Sequence, residues 1–259
     1  MRRTVIIACF LLTSAAFGQA TPTVSPATTT QPNVGYRQHQ NLMVVRNDAG
    51  QLRPIRSLSD WKIRRRHILN GLQQVMGQLP DRSSRVSLDV RITESVQLGT
   101  IARRKLTFRT DRTGRVAAYL FSPTKPDTRH RRPAVLCLQQ TNRAGKLEAA
   151  GLSGNPDLAH AVHLARRGYV TLAPDYPGFG ESTYDFSPRH GYASGTMKAI
   201  WDNIRAVDLL TTLDEVDPAR IGVIGHSLGG HNAIFTAAFE PRLRVIVSNC
   251  GFTRFHKDD

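Results

Sequence analysis

The chain has 259 residues, of which 40% are hydrophobic and 21% are charged, and its formal net charge is +15. This length suits one large α/β domain or two small ones. The basic runs at 64–66, 103–105 and 129–132 carry no interleaved stacking aromatics and match no known reading module, so no nucleic-acid partner is expected. Solvated basic faces are the favoured interpretation, and attraction to an acidic polysaccharide or an anionic cell surface stays open.

Residues 1–20 have the pattern of a secretory signal peptide. Arg2 and Arg3 precede an apolar run at 5–12, and mostly small residues follow up to Gly18. Secretion or export to the periplasm is therefore predicted, with an ordinary buried helix as the alternative. No other segment is apolar for long enough to span a membrane. Residues 21–56 are predicted to be flexible or irregular, because their first part is mostly Thr, Pro, Ala, Ser and Gln.

The segment 57–85 is predicted to form an N-terminal helix. Ser59 is the expected cap, and the helix runs from position 60 to about 78, where Leu79 and Pro80 end it. Residues 86–259 are predicted to form one α/β domain. It opens with antiparallel strands at 86–96, 101–108 and 116–121, and a turn at 111–114 joins the last two.

After Pro133, apolar runs alternate with helical patterns. Strands are predicted at 134–138, 169–173, 221–224 and 243–247, and helices at 157–167, 196–213 and 228–239. Strands that alternate with helices form parallel sheets through right-handed crossovers, so the fold predicted is a three-layer α/β sandwich. Cys137 and Cys250 each lie in an apolar run and are expected to be free and buried, with a disulfide as the alternative.

The segment Gly225-His226-Ser227-Leu228-Gly229 lies between a predicted strand and a predicted helix and fits the G-x-S-x-G pattern of a nucleophile elbow. In that pattern a serine occupies a strained turn, and glycines on both sides let the strand and the helix approach each other. Ser227 is therefore the predicted nucleophile. Gly225, His226 and Gly229 are predicted to shape the elbow.

Attack by a serine on an acyl carbon produces an oxyanion, which needs two N–H donors. The pattern assigns the first donor to the backbone of Leu228 and the second to the loop that follows the strand 134–138. In that loop Thr141 is the favoured donor and Gln140 the alternative. Asp175, after the next strand, is expected to fix its own loop by hydrogen bonds.

The catalytic base and acid are not assigned to any residue of the chain. His231 lies four residues after Ser227 on the same predicted helix, so its side chain is expected to point along the helix. His256, Asp258 and Asp259 follow the serine by only one further predicted strand, and they are not assigned either.

A metal site has little support in the sequence. His160 and His163 are three residues apart on a predicted helix, but no third ligand obviously converges with them. A solvated helix face is the favoured interpretation, and neither a metal nor another cofactor is predicted.

Three segments, 166–180, 217–222 and 225–230, together resemble the α/β-hydrolase superfamily, in particular its dienelactone-hydrolase-like and acetyl-xylan-esterase-like branch. The resemblance covers roughly 116–252 and implies an α/β-hydrolase sandwich that hydrolyses esters through a serine. The chain departs from this pattern at Gln139-Gln140, where many relatives carry His-Gly. It also carries Ser227 where dienelactone hydrolases proper use a cysteine.

In the resembled family, the catalytic acid and histidine come from strands later than those predicted here. We therefore expect a C-terminally incomplete domain that lacks its last strands, the triad acid and the triad histidine. The function expected is an exported serine hydrolase that cleaves a small-molecule or polysaccharide-linked carboxylic ester. The alternatives are a non-catalytic α/β-hydrolase-like binding protein and a serine peptidase of the prolyl-oligopeptidase type. The oligomeric state is not predicted.

Overall fold

The computed structural model describes residues 36, 41–125 and 130–252. The predicted signal peptide, His256, Asp258 and Asp259 lie outside these residues. The strands are β1 Val44–Arg46, β2 Leu52–Pro54, β3 Arg91–Leu98, β4 Ile101–Arg109, β5 Arg115–Pro123, β6 Arg132–Leu138, β7 Val170–Pro174, β8 Val216–His226 and β9 Leu243–Asn249. The helices are α1 Leu58–Met76, α2 Lys146–Ala149, α3 His160–Arg166, α4 Gly195–Thr211 and α5 Leu228–Phe239, with short 3-10 helices at Arg82–Ser84, Pro156–Leu158 and Pro188–His190.

Seven strands form one mixed sheet in the order β3-β4-β5-β7-β6-β8-β9. The pairs β3–β4, β4–β5 and β5–β7 are antiparallel, and β7, β6, β8 and β9 run parallel to one another. This arrangement confirms the predicted antiparallel strands that lead into a parallel sheet. The carboxyl ends of the parallel strands lie at one edge, which is where ligands gather in open α/β sheets.

Successive side chains of a strand point to opposite faces of the sheet, so the apolar strands present an apolar surface on both faces. Helices cover each of these faces. Leu136 and Leu138 of β6 pack in one cluster with apolar residues of α4 and α5. Cys137, between them, packs in a second cluster with alanines of α2 and α3. The three-layer sandwich predicted from the alternation of elements is therefore confirmed. Both Cys137 and Cys250 are free thiols; Cys250 is exposed, contrary to expectation, because it follows the last residue of β9.

The N-terminal elements differ from the prediction in their bounds. Ser57, and not Ser59, caps α1: the Asp60 N–H donates to Ser57 Oγ, and the Ser57 N–H donates to the Asp60 carboxylate, each over 3.1 Å. This reciprocal pair is a capping box, which starts the helix two residues earlier than position 60. Within the segment 21–56, predicted to be irregular, β1 and β2 pair as a short antiparallel hairpin.

Helix α4 is buried on all sides and not along one stripe. Its predicted apolar positions, including Ile200, Ile204 and Val207, are buried, and so are the charged side chains of Lys198 and Asp202. The helix lies against the sheet and against α5, and Trp201 Nε1 donates to the carbonyl of Thr110 in the β4–β5 turn over 2.8 Å. Lys198 and Asp202 form an ion pair with each other over 2.5 Å, so each buried charge has a partner of opposite sign. Within the described ranges, no helix combines the length and apolar character needed to cross a bilayer.

Strand β9 is the edge of the sheet in the part of the chain that the structure describes. It pairs with β8 on one side only. Val245, Ile246 and Val247 are 60%, 44% and 43% exposed, so an apolar surface lies open along this edge.

Candidate active site

Ser227 lies alone between the last residue of β8 and the first residue of α5. Its backbone angles are φ 50° and ψ −115°, a combination that the side chains of L-residues disfavour. The turn is fixed from both sides. The Ser227 N–H donates to the carbonyl of Asn249 over 2.8 Å, and the Ser227 carbonyl accepts from the His231 N–H over 2.9 Å. The sheet and the helix together therefore hold the strained conformation.

The glycines of the elbow allow three backbone segments to meet. A Cβ on Gly225 would overlap the carbonyl group of Gly229, and a Cβ on Gly229 would overlap the carbonyl oxygens of Leu138 and Gln139. Strand β8, the start of α5 and the end of β6 therefore approach each other more closely than any larger residue permits. The loop predicted to supply the second oxyanion donor begins at this contact.

The predicted donors lie on both sides of that contact. Leu228 is the first residue of α5, so its N–H has no carbonyl within the helix to bind. Thr141 is exposed, and Gln140 is partly buried with its side-chain Nε2 donating to Glu148 Oε1 over 3.0 Å. Asn142 Nδ2 donates to the same oxygen over 3.1 Å. The buried carboxylate of Glu148 thus shapes the loop, and the assignment of Leu228, Thr141 and Gln140 as oxyanion donors stays a prediction.

Asp175 fixes the loop after β7 and also joins it to the loop after β6. Its carboxylate accepts from the backbone N–H of Lys146 over 2.8 Å and from that of Glu181 over 3.0 Å. The Lys146 ammonium group lies between Asp175 and Glu181 and bonds to both over 2.6 Å. Burial tends to raise the pKa of Glu181, but hydrogen bonds from Lys146 and Lys105 outweigh it and lower that pKa.

The histidines near the elbow do not reach the nucleophile. His231 packs against Phe235 with ring centroids 4.4 Å apart, and burial lowers the pKa of its imidazole. His226 is partly buried, and its Nδ1 makes no hydrogen bond with the described residues. In the part of the chain that the structure describes, no side chain hydrogen-bonds to the Ser227 hydroxyl. Within the described ranges, the serine and its elbow therefore come together without a base bonded to the hydroxyl.

His160 is a further enclosed histidine at the start of α3. Burial lowers the pKa of its imidazole to about 4, against the opposing effect of the Leu158 and Leu138 carbonyl groups. His163, on the same helix, is exposed, and its Nε2 lies 3.1 Å from the carbonyl of Pro156. Among the described residues, no three His, Cys, Asp or Glu side chains converge as metal ligands, so these two histidines do not belong to a larger donor set there.

A small cleft extends from the elbow along α4. Its wall includes Gly229 of the elbow, Gln139, Tyr176 and Asp202. The amide group of Gln139 is buried without a hydrogen-bond partner in the described part of the chain. Burial raises the pKa of Asp202 more than its partner Lys198 lowers it. No sequence motif marks Lys146, Glu148, Lys198 or Asp202 as part of the site; only the i, i+4 spacing of the last two indicates a pair.

Comparison with known proteins finds hydrolases among the proteins that this chain is similar to. Residues 149–255 match the model of the Alpha/beta hydrolase family. YtaP of Bacillus subtilis (strain 168), a protein named as a hydrolase, is 31% identical over 208 residues, which cover 71% of this chain and 64% of that protein.

Two solved structures with a similar fold are esterases. The glucuronoyl esterase from Solibacter usitatus has a TM-score of 0.58 at 19% identity, covering 79% of this chain and 62% of that chain. Acetyl xylan esterase 1 from Thermoanaerobacterium sp. JW/SL YS485 has a TM-score of 0.51 at 22% identity, covering 71% of this chain and 57% of that chain. The chain therefore spans less than two thirds of the length of the proteins that it matches.

Proposed function

We propose, from the α/β-hydrolase fold that the chain has, that it is a serine hydrolase of carboxylic esters with Ser227 as nucleophile. The observation that carries the proposal is the backbone of Ser227, held at φ 50° and ψ −115° between β8 and α5. A strained backbone of this kind persists only where the surrounding structure fixes it, and such residues cluster at functional sites. A matched hydrolase relative and two esterase folds support the reaction class.

In the proposed reaction, the Ser227 hydroxyl loses its proton to a base, and its oxygen attacks the acyl carbon. The carbonyl π electrons move to oxygen, where the N–H of Leu228 and an N–H of Thr141 or Gln140 stabilise the negative charge. Collapse of this intermediate breaks the bond to the alcohol oxygen, which takes a proton and leaves. Water then attacks the acyl-serine and releases the carboxylic acid. The base and the acid of this sequence are not assigned to described residues.

The substrate and the location are parts of the same proposal. We propose a small-molecule or polysaccharide-linked ester, supported by the fold shared with a glucuronoyl esterase and an acetyl xylan esterase. We also propose export, supported by the signal-like residues 1–20. A second candidate, a non-catalytic binding protein, is favoured by one observation: no described side chain hydrogen-bonds to the Ser227 hydroxyl.

Covalent labelling tests the nucleophile directly. The chain is incubated with p-nitrophenyl acetate, and acetylated peptides are mapped by mass spectrometry. We expect one acetyl group on Ser227, no adduct in the Ser227→Ala variant, and an unchanged adduct in Ser248→Ala, which alters a nearby serine at the end of β9. Acetylation that is absent, or that is equal in Ser227→Ala, would reject the catalytic proposal and leave the binding protein as the better interpretation.

A further inference from the structure

Five charged side chains meet at the edge of the sheet opposite to the elbow. This arginine cluster consists of Arg85, Arg205, Asp208, Glu240 and Arg242. Arg242 directly precedes β9, whose first residue, Leu243, pairs with Ile221, five residues before the end of β8. The cluster therefore lies at the amino ends of the parallel strands, on the order of 16 Å from the elbow along β8.

The carboxylate of Asp208 is shared by three guanidinium groups. Arg205 Nη1 lies 2.5 Å from Oδ2, Arg242 Nη2 lies 2.7 Å from Oδ1, and Arg85 Nε lies 3.4 Å from Oδ2. Arg242 also pairs with Glu240, over 2.6 Å and 2.8 Å. Three positive charges therefore face two negative charges, and the cluster keeps an excess of one positive charge.

Donors of the cluster remain without acceptors. The Nε groups of Arg85 and Arg205 are buried, and neither donates to an acceptor among the described residues. The guanidinium group of Arg85 makes only the ion pair at 3.4 Å with the described part of the chain. Buried donors are almost always paired in native proteins, and an unpaired one calls for an explanation such as a bound ion or water.

The charges of the cluster act on one another. Burial lowers the pKa of Arg205; Asp208 opposes this effect, and the charges of Arg85 and Arg242 add to it. Burial raises the pKa of Glu240, but hydrogen bonds from Arg242 and the charges of Arg242 and Arg85 outweigh it and lower that pKa. Arginine stays protonated in proteins, so the positive excess persists and attracts an anion.

Two of the three guanidinium groups are open to solvent. The side chains of Arg85 and Arg242 are 30% and 31% exposed, whereas that of Arg205 is 4% exposed. A guanidinium group binds two oxygens of one oxyanion through parallel N–H donors. A carboxylate has only two oxygens and is filled by one such group, whereas a phosphate group has enough oxygens for two. We propose that the arginine cluster binds a phosphate group between Arg85 and Arg242.

Equilibrium dialysis of the unmodified chain against radiolabelled inorganic phosphate tests the proposal. The ionic strength is held constant with sodium chloride, so that screening of the net charge of +15 does not change during the titration. We expect one phosphate per chain with a Kd at or below about 1 mM, and competition by acetate at least about tenfold weaker than by unlabelled phosphate. Absence of saturable binding, or equal competition by acetate, overturns the proposal.

Variants of Arg85 test the location. Arg85→Gln removes a guanidinium group that holds no hydrogen bond in the described part of the chain, and it is expected to weaken phosphate binding at least about tenfold. Arg85→Lys keeps the charge but not the planar fork, and it is expected to weaken binding at least about threefold. Should Arg85→Gln unfold, Arg85→Lys decides.

Arg189→Gln is the matched control. It removes one positive charge from a side chain that is 73% exposed, in the short helix before α4, and it is expected to bind phosphate normally. Normal binding by Arg85→Gln, or an equal loss in Arg189→Gln, overturns the assignment to the cluster.

Two further arms identify the source of the phosphate group and separate this site from the elbow. Competition with glycerol 1-phosphate as strong as with phosphate assigns a phosphate ester to the site; no competition restricts the site to inorganic phosphate. Ser227→Ala is expected to bind phosphate normally, and Arg85→Gln to be acetylated on Ser227 normally. Loss of phosphate binding in Ser227→Ala would overturn a site distinct from the elbow, whereas failed acetylation with intact phosphate binding affects the proposed function alone.

Discussion

Lys146 and Asp175 form an ion pair over 2.6 Å with 1% and 0% of their side chains exposed, and this pair joins the two loops beside the elbow. Removing one member of a buried pair leaves an uncompensated charge, which typically costs about 3–5 kcal/mol. We therefore expect Lys146→Met to lower the free energy of unfolding by about that amount, as measured by urea denaturation.

A double-mutant cycle and a surface pair control this result. The double variant Lys146→Met with Asp175→Asn is expected to lose less free energy of unfolding than the sum of the two single variants. The reason is that the asparagine amide is uncharged, so the double variant leaves no unpaired charge from this pair. Arg189→Ala breaks an exposed ion pair, with 73% of the arginine side chain accessible, and is expected to cost no more than about 1 kcal/mol. Equal losses in Lys146→Met and Arg189→Ala would contradict the account of the buried pair.

The conformation of Ser227 predicts an unusual order of variants. The angles φ 50° and ψ −115° are the mirror image of an ordinary extended residue, and only glycine adopts that region without strain. We expect the free energy of unfolding of Ser227→Gly to be about 1–2 kcal/mol higher than that of Ser227→Ala. Thermal and urea denaturation measure this difference, and an alanine variant as stable as the glycine variant would show that the backbone is not strained.

Close packing at Gly225 predicts that an added methyl group destabilises the chain, whereas the same change at an uncrowded glycine stabilises it. Its Cβ would overlap the backbone of Gly229, so Gly225→Ala is expected to destabilise the chain by at least about 3 kcal/mol and to abolish acetylation of Ser227. Gly71→Ala is the matched control, because a Cβ at that position of α1 meets no heavy atom within 4 Å. There the same substitution should stabilise by about 0.5–1 kcal/mol.

His160 predicts a pH dependence of stability. Burial lowers the pKa of its imidazole to about 4 from the usual 6.5, so the unfolded chain binds a proton between these values that the folded chain does not. Stability from this source is present above pH 6.5, falls as the pH drops towards 4, and is constant below that; the total loss is on the order of 3 kcal/mol. Comparing urea unfolding at pH 7 and pH 4.5, we expect His160→Asn to show a smaller loss than the unmodified chain, and His163→Asn to behave like the unmodified chain.

Slow turnover is the fifth expectation. No described side chain hydrogen-bonds to the Ser227 hydroxyl. Hydrolysis of p-nitrophenyl acetate by the 259-residue chain should therefore exceed the rate in water by only about 10³–10⁴-fold, which is the rate enhancement that oxyanion stabilisation and substrate binding give without the triad. Steady-state assays at pH 7 measure this rate. Turnover far above this range that Ser227→Ala abolishes would show that a base does reach the serine.

The sequence was sufficient for the elements whose signals are local. The apolar run before Gly225 and the helical pattern after Ser227 predicted β8, the elbow and α5, because strand, turn and helix each leave a pattern within a few residues. The cap of α1 was misplaced by two positions because Ser57 and Ser59 both satisfy the residue preference. Only the hydrogen bonds of Asp60 distinguish them.

Pairings across long stretches of chain were not predictable in the same way. Lys146 and Asp175 are 29 residues apart in two loops, and no periodicity marks loop residues as partners. Lys198 and Asp202 have the spacing of an ordinary surface pair, yet both are buried because α4 is covered on all sides. Burial of that kind depends on how the other elements pack, which a helical pattern alone does not express.

The open edge of β9 links the fold to its colloidal behaviour. Val245, Ile246 and Val247 expose an apolar strip along a strand that pairs on one side only among the described residues, and an unpaired strand edge can pair with another chain. The net charge of +15 opposes such contacts by mutual repulsion at low ionic strength. The Debye length shortens from about 30 Å at 0.01 M salt to about 3 Å at 1 M, so added salt screens the repulsion between two copies of the chain. The salt concentration therefore controls whether the exposed β9 strand stays in contact with water or pairs with β9 of a second copy.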